Sequence, residues 1–257
     1  MSVSARHLVA ASALLCTTAF GAGCDLIEAL NDKGSTLVQL MVTHHATPED
    51  GFFPDLGSGD IRTFDTDEGW TVNLRAAFVT TSSATLHRCG GGDVAFDAFW
   101  GQLPEDIIKD DLALNSFAAV EVEASRFCSL TVEYAPYKAT DDVSRQREMG
   151  EHGDDVAGTT YYFEGVATKG DVAVDFELSG NGSAIAELDM STVMNGGPLV
   201  ITADEAFPVD LTLSKTYDRF FDGIDFEDYD PADIDGNVMA LLELDSRIAF
   251  GTAAKPQ

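Results

Sequence analysis

The histidines, the cysteines and the many carboxylates are the first candidates for chemistry in this chain. His44 and His45 are adjacent, with Glu49, Asp50 and Asp55 close behind. Imidazole is the commonest metal ligand, so the pair could hold copper or zinc. Neighbouring side chains on a strand leave opposite faces, so both rings reach one ion only if the strand ends near Thr47-Pro48. Two packed or solvated histidines are the simpler reading. His152 sits in Glu148-Met149-Gly150-Glu151-His152-Gly153-Asp154-Asp155, where glycines could wrap carboxylates and a ring around a cation. A solvated charged loop accounts for the same residues. The densest acidic run holds Asp222, Asp225, Glu227, Asp228, Asp230, Asp233 and Asp235. Calcium takes about six to eight oxygen ligands, so this composition could suit it. The calcium-loop template fails in detail, however. Setting Asp233, Asp235 and Gly236 at its third, fifth and sixth positions puts Pro231 first and Leu242 last, where acids are required. Asp230 or Asp233 capping a following helix is the simpler reading.

Signatures of catalysis are missing from the sequence. It has no Gly-x-Ser-x-Gly elbow, no His-Glu-x-x-His, no phosphate-binding glycine loop and no dinucleotide fingerprint. Carboxylates are too numerous for any one acid–base pair to stand out. We therefore expect a protein that is not an enzyme, with a carboxylate hydrolase as a remote alternative. With 44 acidic against 15 basic residues, the formal net charge is -29. Nucleic acids and anionic headgroups are bound through lysine and arginine, so neither is an expected partner. A cationic, protein or glycan partner fits better. Surface acid that keeps an exported protein soluble is the plain explanation of the charge.

Short strands are the elements that must position these groups. Thr36 to Thr43 alternates apolar and polar residues, and Trp70 to Cys89 reads as one long strand or two. Phe117 to Tyr134 alternates around a bend at Ala124-Ser125-Arg126. Tyr161 to Leu178 is a hairpin turning at Lys169-Gly170-Asp171. Ala184 to Met190, Leu199 to Ala203 and Pro208 to Ser214 complete the set. Pro231 to Ser246 is the best helix candidate, with Ile234, Val238, Leu241 and Leu242 near helical spacing. Asp93 to Leu112 could hold one or two short helices, and Ala139 to Gly158 reads as a long exposed loop. The expected fold is all-β and mainly antiparallel: a single β-sandwich domain with a few short helices and one disulfide.

The N-terminus speaks to location. Met1 to His7 carries one arginine and no acid, Leu8 to Phe20 is apolar, and Gly21-Ala22-Gly23 precedes Cys24. This resembles the bacterial lipoprotein signal, with Gly21 standing where a larger apolar residue is usual. The resemblance implies cleavage before Cys24 and lipid on that cysteine. Cys16 leaves with the signal, so Cys89 and Cys128 remain as an even pair in an oxidising compartment. Each lies near a strand end, and a disulfide between them is the expected arrangement. The alternative, a metal site with His87, matches no zinc spacing. The expected organisation is a signal peptide at 1–23, a lipidated tether at 24–35 and the β-sandwich at 36–257.

Three segments carry a second resemblance. They are Phe64-Asp65-Thr66-Asp67-Glu68-Gly69-Trp70-Thr71-Val72, Tyr162-Phe163-Glu164-Gly165 and Arg219-Phe220-Phe221-Asp222-Gly223-Ile224-Asp225-Phe226. Together they resemble β-sandwich lipoproteins of environmental proteobacteria, and are similar to the copper-associated periplasmic proteins found beside methanobactin genes. The likeness touches about a quarter of the chain and matches no copper ligand residue by residue. It implies a sandwich in the cell envelope, facing the periplasm or the cell surface. The functional expectation is a membrane-anchored, non-catalytic binding or interaction domain. The alternative is an envelope metal-binding protein, using histidines for copper or zinc, or the acidic loop for calcium.

Overall fold

The structure is a computed structural model describing residues 34–50, 52–54, 61–140, 142–202 and 207–251. The leader, Cys24, most of the tether and Asp55 lie outside the described residues.

Two sheets form the molecule. The smaller runs in the order β14 (Arg247–Phe250), β13 (Val209–Thr216), β1 (Ser35–His45), β7 (Asn115–Glu123), β5 (Asp97–Ala98). The larger is built on β3 (Thr71–Arg88), an 18-residue strand flanked by β9 (Tyr161–Lys169) and β8 (Ser125–Tyr134). Beyond these lie β10 (Val172–Gly180) on β9 and β11 (Ala184–Asp189) on β8. Shorter strands complete it: β2 (Arg62–Asp65), β4 (Asp93–Ala95) and β6 (Leu103–Asp106) pair with β3, and β12 (Leu199–Ile201) with β8. Among the described strands, all pairings are antiparallel except β1 with β13. The antiparallel sandwich read from the alternation is the fold observed.

One continuous core fills the space between the sheets. From β1 it takes Val38, Leu40 and Val42, and from β13 Val209, Leu211 and Leu213. These are opposite partners in the parallel register, so a shared apolar face is set by their alternation. Aromatic rings dominate one end. Phe163 stacks on Phe220 at 5.7 Å, Phe221 lies 5.7 Å from both Phe64 and Phe176, and Trp70 meets Phe226 edge-on at 5.5 Å. The hairpin between β9 and β10 turns on two residues, Gly170 and Asp171. Gly170 has a φ of +61°, as a tight hairpin turn of this length demands.

Cys89, just past β3, is bonded to Cys128 on β8, with Cα atoms 5.0 Å apart. This is the expected disulfide.

Two expectations about helices are corrected. Residues Asp93 to Leu112 form β4, β5 and β6 rather than helix, because Leu103, Glu105 and Ile107 alternate inward from an edge of the large sheet. Ala139 to Gly158 is not a bare loop. It carries α1 (Val143–Met149) and the single turn α2 (Gly153–Val156), which bury Met149 and Val156 in a second small core with Ala76, Phe78, Tyr137 and Tyr162. A seven-residue helix contributes too few apolar positions to show periodicity. The C-terminal helix α3 (Pro231–Leu244) buries Ile234, Val238 and Leu242, as its spacing predicts. No helix among the described residues is long and apolar enough to cross a membrane.

Candidate functional site

The same alternation that builds the core places charged groups inside it. His44 continues the inward row Val38, Leu40, Val42, and Lys215 continues Val209, Leu211, Leu213. The two are register partners, so they stand side by side on the inner face of the small sheet. Glu105 faces them from β6, between Leu103 and Ile107 on the inward side of the large sheet. His44 and Glu105 are fully buried and Lys215 is 2 % exposed.

The Lys215 ammonium is in direct contact with Glu105 Oε2. His44 Nδ1 lies 3.0 Å from Glu105 Oε1, and its Nε2 lies 3.0 Å from the Lys109 carbonyl oxygen. The ring thus bridges the Glu105 carboxylate and a backbone carbonyl. A second ion pair closes the cluster: Arg62 Nη2 lies 3.3 Å from Asp111 Oδ1. The Tyr217 hydroxyl donates to Asp111 at 3.2 Å, and Arg62 Nε donates to the Ile107 carbonyl. Aromatic rings wall the group. Lys215 Nζ lies 5.8 Å from the Tyr134 ring centroid, and His44 packs edge-on to Tyr217 at the same distance.

Burial pushes the Glu105 carboxyl up, but the Lys215 ammonium and the His44 hydrogen bond outweigh it and hold the carboxyl down at about 2. Burial, and Asp111 beside it, push the Tyr217 phenol well up. Buried charges of this kind persist only when paired, and here Glu105 is paired with Lys215 and Asp111 with Arg62.

The sequence-predicted candidates fall in separate places. His44 joins the cluster, while His45 turns to the other face of β1. There its Nδ1 donates to its own neighbour's carbonyl, Ala46 O, at 2.8 Å, and its ring packs on Phe53. Burial lowers its pKa. His152 lies between the rings of Phe78 and Tyr162, with Nδ1 3.4 Å from Asp155. In the acidic run, Asp230 caps α3 by accepting from the Ala232 amide at 2.9 Å, and Asp233 sits in the first turn of that helix. Asp225 accepts from the Glu227 amide, and the Asp228 amide donates to the Asp225 carbonyl. Asp235 packs against Tyr161 beside Gly180, where any Cβ would collide with both side chains. Among the described residues no group of three or more His, Cys, Asp or Glu side chains is placed to hold a metal ion.

The sequence reading missed Arg62, Glu105, Asp111, Lys215 and Tyr217. A signal for two of them was present: Lys215 and Glu105 each occupy the parity of an apolar row, Leu211-Leu213-Lys215 and Leu103-Glu105-Ile107.

No family model and no curated protein matches the chain. Among solved structures, it is similar to MbnP from Methylosinus trichosporium, at 8 % identity and a TM-score of 0.40 over 76 % of this chain and 79 % of that one. A likeness so slight says nothing about ligand or activity.

Proposed function

We propose that the chain is an exported envelope protein, lipid-anchored at Cys24, whose acidic sandwich is a non-catalytic binding or interaction module. The observation that carries this reading is the Cys89–Cys128 bond. Such bonds form and persist in oxidising compartments, and this one accounts for both cysteines of the described residues. The non-catalytic part rests on burial. The dense constellation of titratable groups lies between two sheets, where a substrate does not reach it. A surface groove of about 520 Å³, lined by Ser129, Glu187, Asp189 and Ser191, includes none of those groups.

The test is expression of the full chain in a bacterium, with fractionation and mass analysis of the N-terminal peptide. An acylated Cys24 in the membrane fraction, released to the soluble fraction by Cys24→Ala, is the expected result. A soluble protein with an unmodified N-terminus would overturn the anchor. Capture experiments with the soluble sandwich on envelope extracts test the binding role, which fails if no component is retained in a saturable way.

A further inference from the structure

We propose that Lys215 and Glu105 are the two halves of an intramolecular amide cross-link that the folded protein forms by itself, joining its two sheets from within. This goes beyond the binding role and does not depend on it.

Four features of the cluster converge on that chemistry. The nucleophile and the carboxyl are in contact and held on rigid strands, Lys215 on β13 and Glu105 on β6. Such positioning turns a reaction that is negligible between free side chains into a unimolecular one with high effective concentration. Both groups are shut away from bulk water, which would otherwise favour hydrolysis over condensation. A third group addresses the same carboxyl, since His44 Nδ1 lies 3.0 Å from Oε1. Finally, the Tyr134 ring lies by the nitrogen and the Tyr217 ring by the imidazole, giving an aromatic enclosure.

The step balances without any added reagent. The ammonium of Lys215 passes one proton to Oε2 of Glu105, leaving an amine and a carboxylic acid. Nζ attacks Cδ, and the negative charge that develops on Oε1 is met by the His44 Nδ1 hydrogen, in the manner of an oxyanion hole. A second proton moves from nitrogen to Oε2, which departs as water. Nζ keeps its third hydrogen, and the C=O to Oε1 re-forms. An ammonium and a carboxylate thus become one neutral amide and one water. The product carries no charge, so the desolvation cost of two buried ions disappears with the reaction. Asp111 is the edge of the cluster nearest solvent, at 15 % side-chain exposure. His44 is a positioning and polarising group that is regenerated unchanged.

The deciding measurement is the intact mass of the folded sandwich, taken in denaturant, followed by digestion and peptide sequencing. The expected mass is that of the sequence less the two disulfide hydrogens and one further water. A branched peptide should also join the segment around Glu105 to the one around Lys215. The branched peptide is required, because dehydration at an aspartate also removes a water. A folded protein of full mass, with the Glu105 and Lys215 peptides recovered separately, overturns the proposal. Folded His44→Ala protein should link more slowly during a timed expression pulse, by about a hundredfold for loss of one oxyanion donor. An unchanged rate in that variant would remove His44 from the mechanism while leaving the branched peptide to decide the bond.

Discussion

Two neighbouring regions of the sandwich interior, an aromatic end and a charged end of one continuous packing, are filled on different principles. In the first, Phe64, Trp70, Phe163, Phe176, Phe220, Phe221 and Phe226 pack ring on ring. In the second, Arg62, Glu105, Asp111, His44 and Lys215 form a set of ion pairs and hydrogen bonds. Tyr217 belongs to both, with its ring near Phe64 and its hydroxyl on Asp111. The aromatic end draws its stability from area removed from water, which is non-directional and indifferent to pH. The charged end stabilises only if every partner is present, so it specifies arrangement more than it adds free energy. One end holds the sheets together, and the other dictates which residues must face each other.

That contrast can be broken by substitution. Phe221→Ala should cost about 3–5 kcal/mol in denaturant unfolding, as large aromatic deletions do, and no second substitution nearby should recover it. Lys215→Met should cost a similar amount, about 3–5 kcal/mol, because it strands a buried carboxylate. Here repair is possible: adding Glu105→Leu should restore a substantial part of the loss. A double variant no better than the single would show that the charged end is not a matched set. Reduction or Cys89→Ser with Cys128→Ser opens the bridge across a separation of 39 residues, and should cost about 2–4 kcal/mol in thermal or chemical melts.

Acid titration sharpens the comparison further, in protein whose Glu105 is still a free carboxylate. The folded-state carboxyl titrates below its ordinary value of 4.5, at about 2. Its contribution is therefore present above about 4.5 and is lost as the pH falls from there towards 2. Phe221→Ala protein should show the same acid slope as the parent, and the Glu105→Leu, Lys215→Met double variant a shallower one. Amide-linked protein should lack this component. The smallest effect belongs to the acidic run. Asp230→Ala removes the α3 cap and should cost about 1 kcal/mol, with added calcium leaving the melting point unmoved.

The apolar half of this contrast was legible in the sequence and the charged half was not. The strand reading located β1, β3 and β7 to β13, and helical spacing located α3. The visible alternation ran to Thr43, with His44 and His45 closing that strand, and the last strand was read to Ser214, one residue short of the inward-facing Lys215. A hydrophobic period stops being visible where a polar residue takes an inward position, so periodicity fails at a buried polar site. Glu105 was hidden for a different reason. β6 is four residues long and paired only with a distant strand, so neither length nor local pattern marked it. Arg62 and Asp111 sit at a strand start and in a connection, and only tertiary pairing brings them together. The Asp230 cap was legible because capping is local.

The parallel pairing of β1 with β13 also constrains the order in which the molecule can be made. The first strand of the sandwich lies in the middle of its sheet, between β7 and a partner about 170 residues further along the chain. Until residues 209–216 have emerged, one side of β1 is an open edge of unpaired amides and carbonyls, with Lys215 not yet available to Glu105. A chain threaded through a membrane from its N-terminus would therefore cross with its sheet unfinished and close it only at the end. A fold whose first strand waits for one of its last stays unclosed until its synthesis is nearly done, and becomes rigid only then.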